Sequence, residues 1–415
     1  MFITCLFIVV VTHCTSSVSS VLPGDVSQPL EVLLDQAVSL YHEEKWPQSV
    51  NMFEKALVNY KMSKHAAVAC IGKCKTANIF KEINEDLTDF PLLKAVGDLV
   101  AQASCIKICS EEHPFGDFNK RALRWDIARD LELRKPYNYL QFAYYKMNKI
   151  KKACQAVYTY HQVHTENQDT IANIEFYKTL PDVQDSYFTD LEADASYNLF
   201  IEAAAAYDDK KYEVVVDKIE KCLVSFFKAV TDCESLCFKP VELITFQRFM
   251  KAIIDQHHGQ VKCCLECEHK LSPVLFGRKV EHFVAKCFSY LQFAYFSLGK
   301  WEMAVPAAAS VLLLNPNDKD AQNNLDYYES KAEERRLVRD IHFQPRADAV
   351  KFFTEKQKKV KFVEEAELMF GEIPYQSLGV HEENIKSNNQ ENLIQQLTEQ
   401  VTVAIGNRLR GEENA

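Results

Sequence analysis

Residues that break helices are scarce in this chain. Over 415 residues there are 11 glycines and 13 prolines, too few for a strand-and-turn architecture and in keeping with long helices. Asp, Glu, Lys and Arg are missing altogether from residues 1 to 20. Beyond that segment no stretch reaches eighteen apolar residues without a charge, so no membrane-spanning helix is expected in the mature chain. There is no Gly-x-x-x-x-Gly-Lys phosphate loop and no Gly-x-Ser-x-Gly nucleophile elbow. An Asn-x-Ser/Thr glycosylation sequon is absent as well. The formal net charge of -10 disfavours sequence-independent nucleic-acid binding, which needs a basic surface.

What is present begins with the N-terminal segment. Phe2 to Val11 is almost unbroken apolar sequence, followed by mostly small polar residues from Thr15 to Ser20. About ten apolar residues is too short to cross a bilayer and suits the core of a signal peptide. Ser17 and Ser19 fit the small-residue rule at a cleavage site, which sets residues 1–19 as a signal peptide with a mature start near Ser20. Two of the 14 cysteines, Cys5 and Cys14, fall inside that segment, leaving an even number. An oxidising compartment lets such residues pair.

Internal repetition is the strongest signal. Tyr-Leu-Gln-Phe-Ala-Tyr stands at 139–144 and again at 290–295. The same offset of 151 carries Lys149 onto Lys300, Ala153 onto Ala304, and Ile174-Glu175-Phe176-Tyr177 onto Leu325-Asp326-Tyr327-Tyr328. From Tyr290 the order is an apolar helix with Ala294, Gly299 at a turn, Trp301, Ala304, then Leu314-Asn315-Pro316. This looks like the tetratricopeptide unit, a helix-turn-helix of about 34 residues. Small residues sit where helices cross, aromatics fill the wedge beside them, and proline closes the second helix. Residues 33 to 60 (Ala37, Tyr41, Trp46, Ser49, Phe53) and 199 to 224 (Ala205, Tyr207, Tyr212, Val215) follow the same grammar. Four hairpins are expected, starting near 31, 137, 197 and 287.

Cysteines supply a second rhythm. Cys70/Cys74, Cys105/Cys109, Cys233/Cys237 and Cys263/Cys267 all share a spacing of four. Each half of the chain then runs repeat, cysteine pair, cysteine pair, repeat, so the array reads as an internal duplication. Cysteines four apart share a helix face with Cβ atoms about 5–6 Å apart, wider than the roughly 3.5–4.5 Å a disulfide prefers. Bridges between neighbouring helices are easier. The 70/74 pair is expected to face 105/109, and 233/237 to face 263/267, with the connectivity inside each set left open.

Alternative chemistries fit less well. Cys263-Cys264-Leu265-Glu266-Cys267-Glu268-His269 contains a Cys-x-x-Cys, but a structural zinc site needs four ligands and no second such pair occurs. A redox role for Cys264/Cys267 requires a βαβ setting, and the surroundings read helical. Iron and 2-oxoglutarate chemistry needs two histidines and a carboxylate on one face. No His-x-Asp occurs, and His-x-Glu stands only at His42, His164 and His381, each read as a solvated polar position. His257-His258 before Gly259 reads as a helix end. Tyr139, Phe142, Tyr144, Tyr290, Phe293 and Tyr295 read mainly as core, with a ligand-facing groove as the alternative. No catalytic, cofactor-binding or metal-ligating residue is assigned.

The expected fold is all-α: a tetratricopeptide-like helical repeat array with disulfides, internally duplicated. Residues 20–180 form its first half and 181–340 its second. Past 341 the charge pattern changes, with a basic run at Lys356 to Lys361 and a polar stretch from Val380 to Gln396. This reads as a helical extension with a mobile tail over 341–415.

Signal peptide, repeats and four Cys-x-x-x-Cys pairs together resemble the leprecan family over roughly residues 30 to 355. Phe343-Gln344-Pro345-Arg346, then Ala349 and Phe352-Phe353, are similar to the family's ending of its helical region. Some members continue into a C-terminal dioxygenase domain; this sequence is similar to the shorter, non-catalytic ones. The resemblance implies a non-enzymatic subunit that partners a prolyl 3-hydroxylase and a cyclophilin-type prolyl isomerase on procollagen chains, or one tied to lysyl hydroxylation. The implied location is the endoplasmic reticulum lumen or the secreted space. Gly411-Glu412-Glu413-Asn414-Ala415 lacks a Lys-Asp-Glu-Leu-type signal, so retention would depend on a partner. An exported scaffold or matrix protein is the reading that stands against these.

Overall fold

A computed structural model describes residues 28–74, 91–112, 124–237, 246–275 and 277–370. The signal-peptide segment, His381 and the tail past 370 lie outside them. In chain order the first helices are α1 (Leu30–His42), α2 (Trp46–Cys74), α3 (Pro91–Glu112), α4 (Trp125–Glu132), α5 (Lys135–Lys146), α6 (Ile150–His161) and α7 (Gln168–Lys178). They are followed by α8 (Ala195–Asp208), α9 (Tyr212–Leu236), α10 (Phe246–Leu271), α11 (Phe283–Ser297), α12 (Trp301–Leu314), α13 (Lys319–Ser330), α14 (Arg339–His342) and α15 (Ala347–Phe370).

The four repeat hairpins are α1/α2, α5/α6, α8/α9 and α11/α12. Small side chains let their helices close. Ala37 and Ser49 are wholly buried at the α1/α2 crossing, where the Ser49 hydroxyl donates to the Ala37 carbonyl at 2.9 Å. Ala203 and Val215 hold the matching places in α8/α9, with no exposed surface. All four hairpin turns carry a left-handed residue just before the second helix: Glu44 at φ 57°, Asn148 at 57°, Lys210 at 60° and Gly299 at 71°. Only Gly299 has the residue type that enters this region without a Cβ clash. Each half adds a third helix, α7 or α13, opened by a capping side chain. Asn167 Oδ1 accepts from the Thr170 amide at 2.9 Å, and Asp318 Oδ1 from the Ala321 amide at 3.0 Å. Asn315 and Pro316 end α12.

Two large apolar cores follow, and a small third cluster of Ile71, Cys74 and Ile106 lies between α2 and α3. One gathers Phe53, Leu140, Tyr144, Val157 and Tyr177; the larger gathers Phe200, Phe226, Phe288, Leu291, Val311 and Tyr328. α2 and α9 run past their hairpins, over 29 and 25 residues, and so reach α3 and α10. α2 also packs along α9, joining the halves.

Two features differ from the sequence reading. A short antiparallel ladder, β1 (Val274–Leu275) with β2 (Arg278–Lys279), interrupts the helices. His257-His258 is not a helix end, because α10 continues through Gly259 to Leu271. One glycine costs a helix only about 1 kcal/mol, which packing of α10 on α9 and α15 outweighs.

Candidate binding surface and its disulfide staples

The two halves build the same polar joints from residues 151 or 166 positions apart. In the first, the Tyr177 hydroxyl donates to Gln141 Oε1 at 2.5 Å. In the second, Gln292 Nε2 donates to the Tyr328 oxygen at 2.5 Å, its Oε1 being taken by Asn324 at 3.1 Å. Burial pushes the Tyr328 hydroxyl up to about 12, so it stays protonated. A second joint pairs a tyrosine with a glutamate. Tyr144 donates to Glu54 at 2.6 Å, and Tyr295 to Glu220 at 2.9 Å.

The cation at that second joint differs between halves. Lys152 reaches Glu54 at 2.9 Å from α6. Glu220 instead receives both guanidinium nitrogens of Arg346, at 2.6 and 2.9 Å, from the segment that opens α15. Burial works against the Arg346 charge, yet the bonds it donates to Glu220 and Asp348 outweigh that and raise its pKa. The Arg346 amide also donates to the buried Ser310 hydroxyl at 2.9 Å. In the first half the Leu191 amide makes the equivalent bond to Thr159, at 2.9 Å.

Aromatic rings line the turn ends of both halves. Trp46, Phe142, Tyr145 and Phe176 follow one another with centroids 5.7, 6.4 and 5.6 Å apart. In the second half Tyr212 meets Phe293 at 5.8 Å, and Tyr327 meets Phe296 at 6.2 Å and Trp301 at 5.9 Å. Of the aromatics singled out in the sequence, Tyr144 and Tyr295 are buried, Tyr139, Phe142 and Tyr290 half-buried, and Phe293 is 38% exposed. Phe176 and Tyr327, at 44% and 45%, are open ring faces. The rim is apolar and wet, which suits an extended chain or a partner helix.

The bridged cysteines stand at the C-terminal ends of α2 and α9 and on the helices that meet them. Cys70 is bonded to Cys109 and Cys74 to Cys105, across α2 and α3. Cys233 is bonded to Cys267 and Cys237 to Cys263, across α9 and α10. Cα–Cα separations are 5.7 Å for three bridges and 5.9 Å for Cys233–Cys267. Antiparallel crossing makes the order reversed, first with last. Cys154, Cys222 and Cys287 are buried thiols. Burial raises the Cys154 thiol to about 11 and, with help from Cys222, also pushes the Cys287 thiol well up, so neither forms thiolate readily. Cys264, half-buried, points its thiol at the Glu234 carbonyl, 3.7 Å away. Its Cys-x-x-Cys partner Cys267 is engaged with Cys233 instead.

Among the described residues no three His, Cys, Asp or Glu side chains converge to hold a metal ion. His42 closes α1 and is exposed. His164 lies in the turn after α6, its Nε2 2.8 Å from the Leu133 carbonyl. His269 is exposed on α10. No described helix is long and apolar enough to cross a membrane. The glutamine–tyrosine and glutamate–tyrosine joints went unread in the sequence. Their signal was available, because Gln141/Gln292 and Tyr177/Tyr328 each keep the offset of 151.

An array of this construction is a tetratricopeptide-like helical-repeat protein crosslinked by disulfides. Residues 29–332 match the leprecan family TPR-like repeat region, and the chain belongs to that family. It is 35% identical to human Cartilage-associated protein over 340 residues, 81% of this chain and 84% of the relative. It is 28% identical to rat Endoplasmic reticulum protein SC65, over 80% of this chain and 77% of that one. Human Prolyl 3-hydroxylase 2 is 27% identical over 74% of this chain, a region that makes up 44% of the enzyme.

Proposed function

We propose that this chain is a non-catalytic, helical-repeat binding subunit of a collagen prolyl 3-hydroxylation complex in the endoplasmic reticulum. Its partners would be a prolyl 3-hydroxylase, a cyclophilin-type prolyl isomerase and procollagen chains. What supports this reading is the match of residues 29–332 to the leprecan repeat region, together with likeness to Cartilage-associated protein over 81% of this chain and to Prolyl 3-hydroxylase 2 over 74% of it. The physical role is binding. A partner that grips only the folded hydroxylase raises its folded population by mass action. Two rims of rings on a rigid frame offer the surface, and preorganisation spares the ordering cost of association.

The test has two arms. Purified chain supplied with iron, 2-oxoglutarate and a collagen peptide is expected to turn over nothing. Removing the chain from collagen-producing cells is expected to lower prolyl 3-hydroxylation, and a prolyl 3-hydroxylase is expected to co-purify with it. Loss of lysyl hydroxylation instead would assign it to that related complex. Normally modified collagen with no hydroxylase co-purifying would favour an exported scaffold. Decarboxylation of 2-oxoglutarate by the chain alone would overturn the non-enzymatic reading.

A further inference from the structure

α15 lies across α10, and the contact has an unusual composition at its far end. Along most of its length ordinary interactions hold it. Phe352 packs on Phe227 of α9 at 5.3 Å between centroids, and Lys356 meets Glu268 at 2.6 Å. Lys359 pairs with Glu234. Val363 and Ala366 are buried. Then come two adjacent histidines of α10. His257 sets its ring edge-on against Phe362, 4.8 Å away. His258 is 1% exposed, and its Nε2 lies 3.5 Å from Glu367 Oε1. That oxygen already accepts Lys262 Nζ at 2.5 Å. Neither His257 Nδ1 nor His258 Nε2 has a hydrogen-bond partner.

We propose that α15 is a strap released by acid: its C-terminal half rests on α10 while His257 and His258 are neutral, and lifts when they take up protons. Neutral imidazoles can lie here, His258 buried and His257 against Phe362, at little cost. An imidazolium there would have to be desolvated. The charged groups around the pair are Asp255 and Lys262 on α10 and Glu367 on α15. On α9, the other helix packed against α10, Lys228 is engaged with Asp232 and Glu234 with Lys359. Glu367 would welcome a proton on His258, but its charge is already answered by Lys262, which also repels that proton. Burial depresses the basicity of both histidines, with Lys262 adding to the effect at His258. The sign follows: the lifted state, with ordinary histidines, binds protons more tightly than the seated one. Seating is therefore fully favourable above about pH 6.5, the ordinary histidine value, and weakens as pH falls from there through the depressed values.

Hydrogen exchange on the full chain tests this, with rates corrected for intrinsic pH dependence. Amides of 360–368 are expected to lose protection about tenfold between pH 6.5 and 5.5, the limit for one coupled histidine being tenfold per pH unit. Amides of α11 and α12 should keep theirs. In the His257→Gln, His258→Gln double variant the loss at α15 should disappear. A flat α15 profile in the parent chain, or the same loss in the double variant, overturns the proposal. If that variant does not fold, proton NMR titration of the parent chain decides: both imidazoles are expected below 6.5, and a value at or above it overturns the proposal.

Discussion

Gln141 and Gln292 are buried and each bonds one tyrosine hydroxyl, Gln292 meeting Asn324 as well. Removing that hydroxyl leaves an amide group stranded in a dry core, at a cost of about 1–3 kcal/mol. Tyr177→Phe and Tyr328→Phe are each expected to destabilise the chain by that amount in denaturant melts, with hairpin geometry preserved. A change below about 0.5 kcal/mol would mean that water or another side chain already serves the glutamine. The tyrosines and glutamines stood in plain view within the repeated motifs, but the sequence carries no mark of which pairs meet. Contact depends on the angle at which α7 crosses α5, and that angle is set by packing rather than by any local preference. Arg346 is a similar case. Its place in the Phe-Gln-Pro-Arg segment is visible, whereas its reach to Glu220, 126 residues earlier, is not.

At the scale of the helix, periodicity served well wherever an element had an apolar face and a turn. The four hairpins begin within about four residues of where small and aromatic residues place them. α10 was harder. Its His257-His258-Gly259 looks like punctuation, yet neighbours on two sides keep the helix running. Cysteines four apart mark a face; which sulfur meets which depends on helices crossing antiparallel, and spacing does not encode direction. Peptide mapping under non-reducing conditions is expected to give 70–109, 74–105, 233–267 and 237–263. Cys154, Cys222 and Cys287 should alkylate only after denaturation. A bridge within any of the four-residue pairs would contradict the arrangement. Each staple closes a loop of 26 to 39 residues, worth about 3–4 kcal/mol by restriction of the unfolded chain. Replacing Cys74 and Cys105 by serine should therefore lower stability by several kcal/mol.

For the whole molecule, the division into two cores has a measurable outcome. Each repeat touches mainly its neighbours, and stability in such arrays is nearly a sum over local units. The second-half core is the larger and is crossed by α15. Calorimetry is expected to resolve two transitions, with Tyr177→Phe lowering the earlier one and Tyr328→Phe the later. A single transition that shifts equally in both variants would show that the α2–α9 contact welds the halves into one cooperative unit.

The location of the staples also bears on how such a chain is made. Among the described residues every bridge joins cysteines at most 39 residues apart, and none links the two halves. A nascent chain emerging from the ribosome could thus oxidise Cys70, Cys74, Cys105 and Cys109 correctly before Cys233 has been synthesised. Short separations close quickly, and N-terminal units fold first during synthesis. Wrong partners from the other half are at that moment not yet in existence, so the order of translation itself protects a chain with four near-identical cysteine pairs from scrambling them.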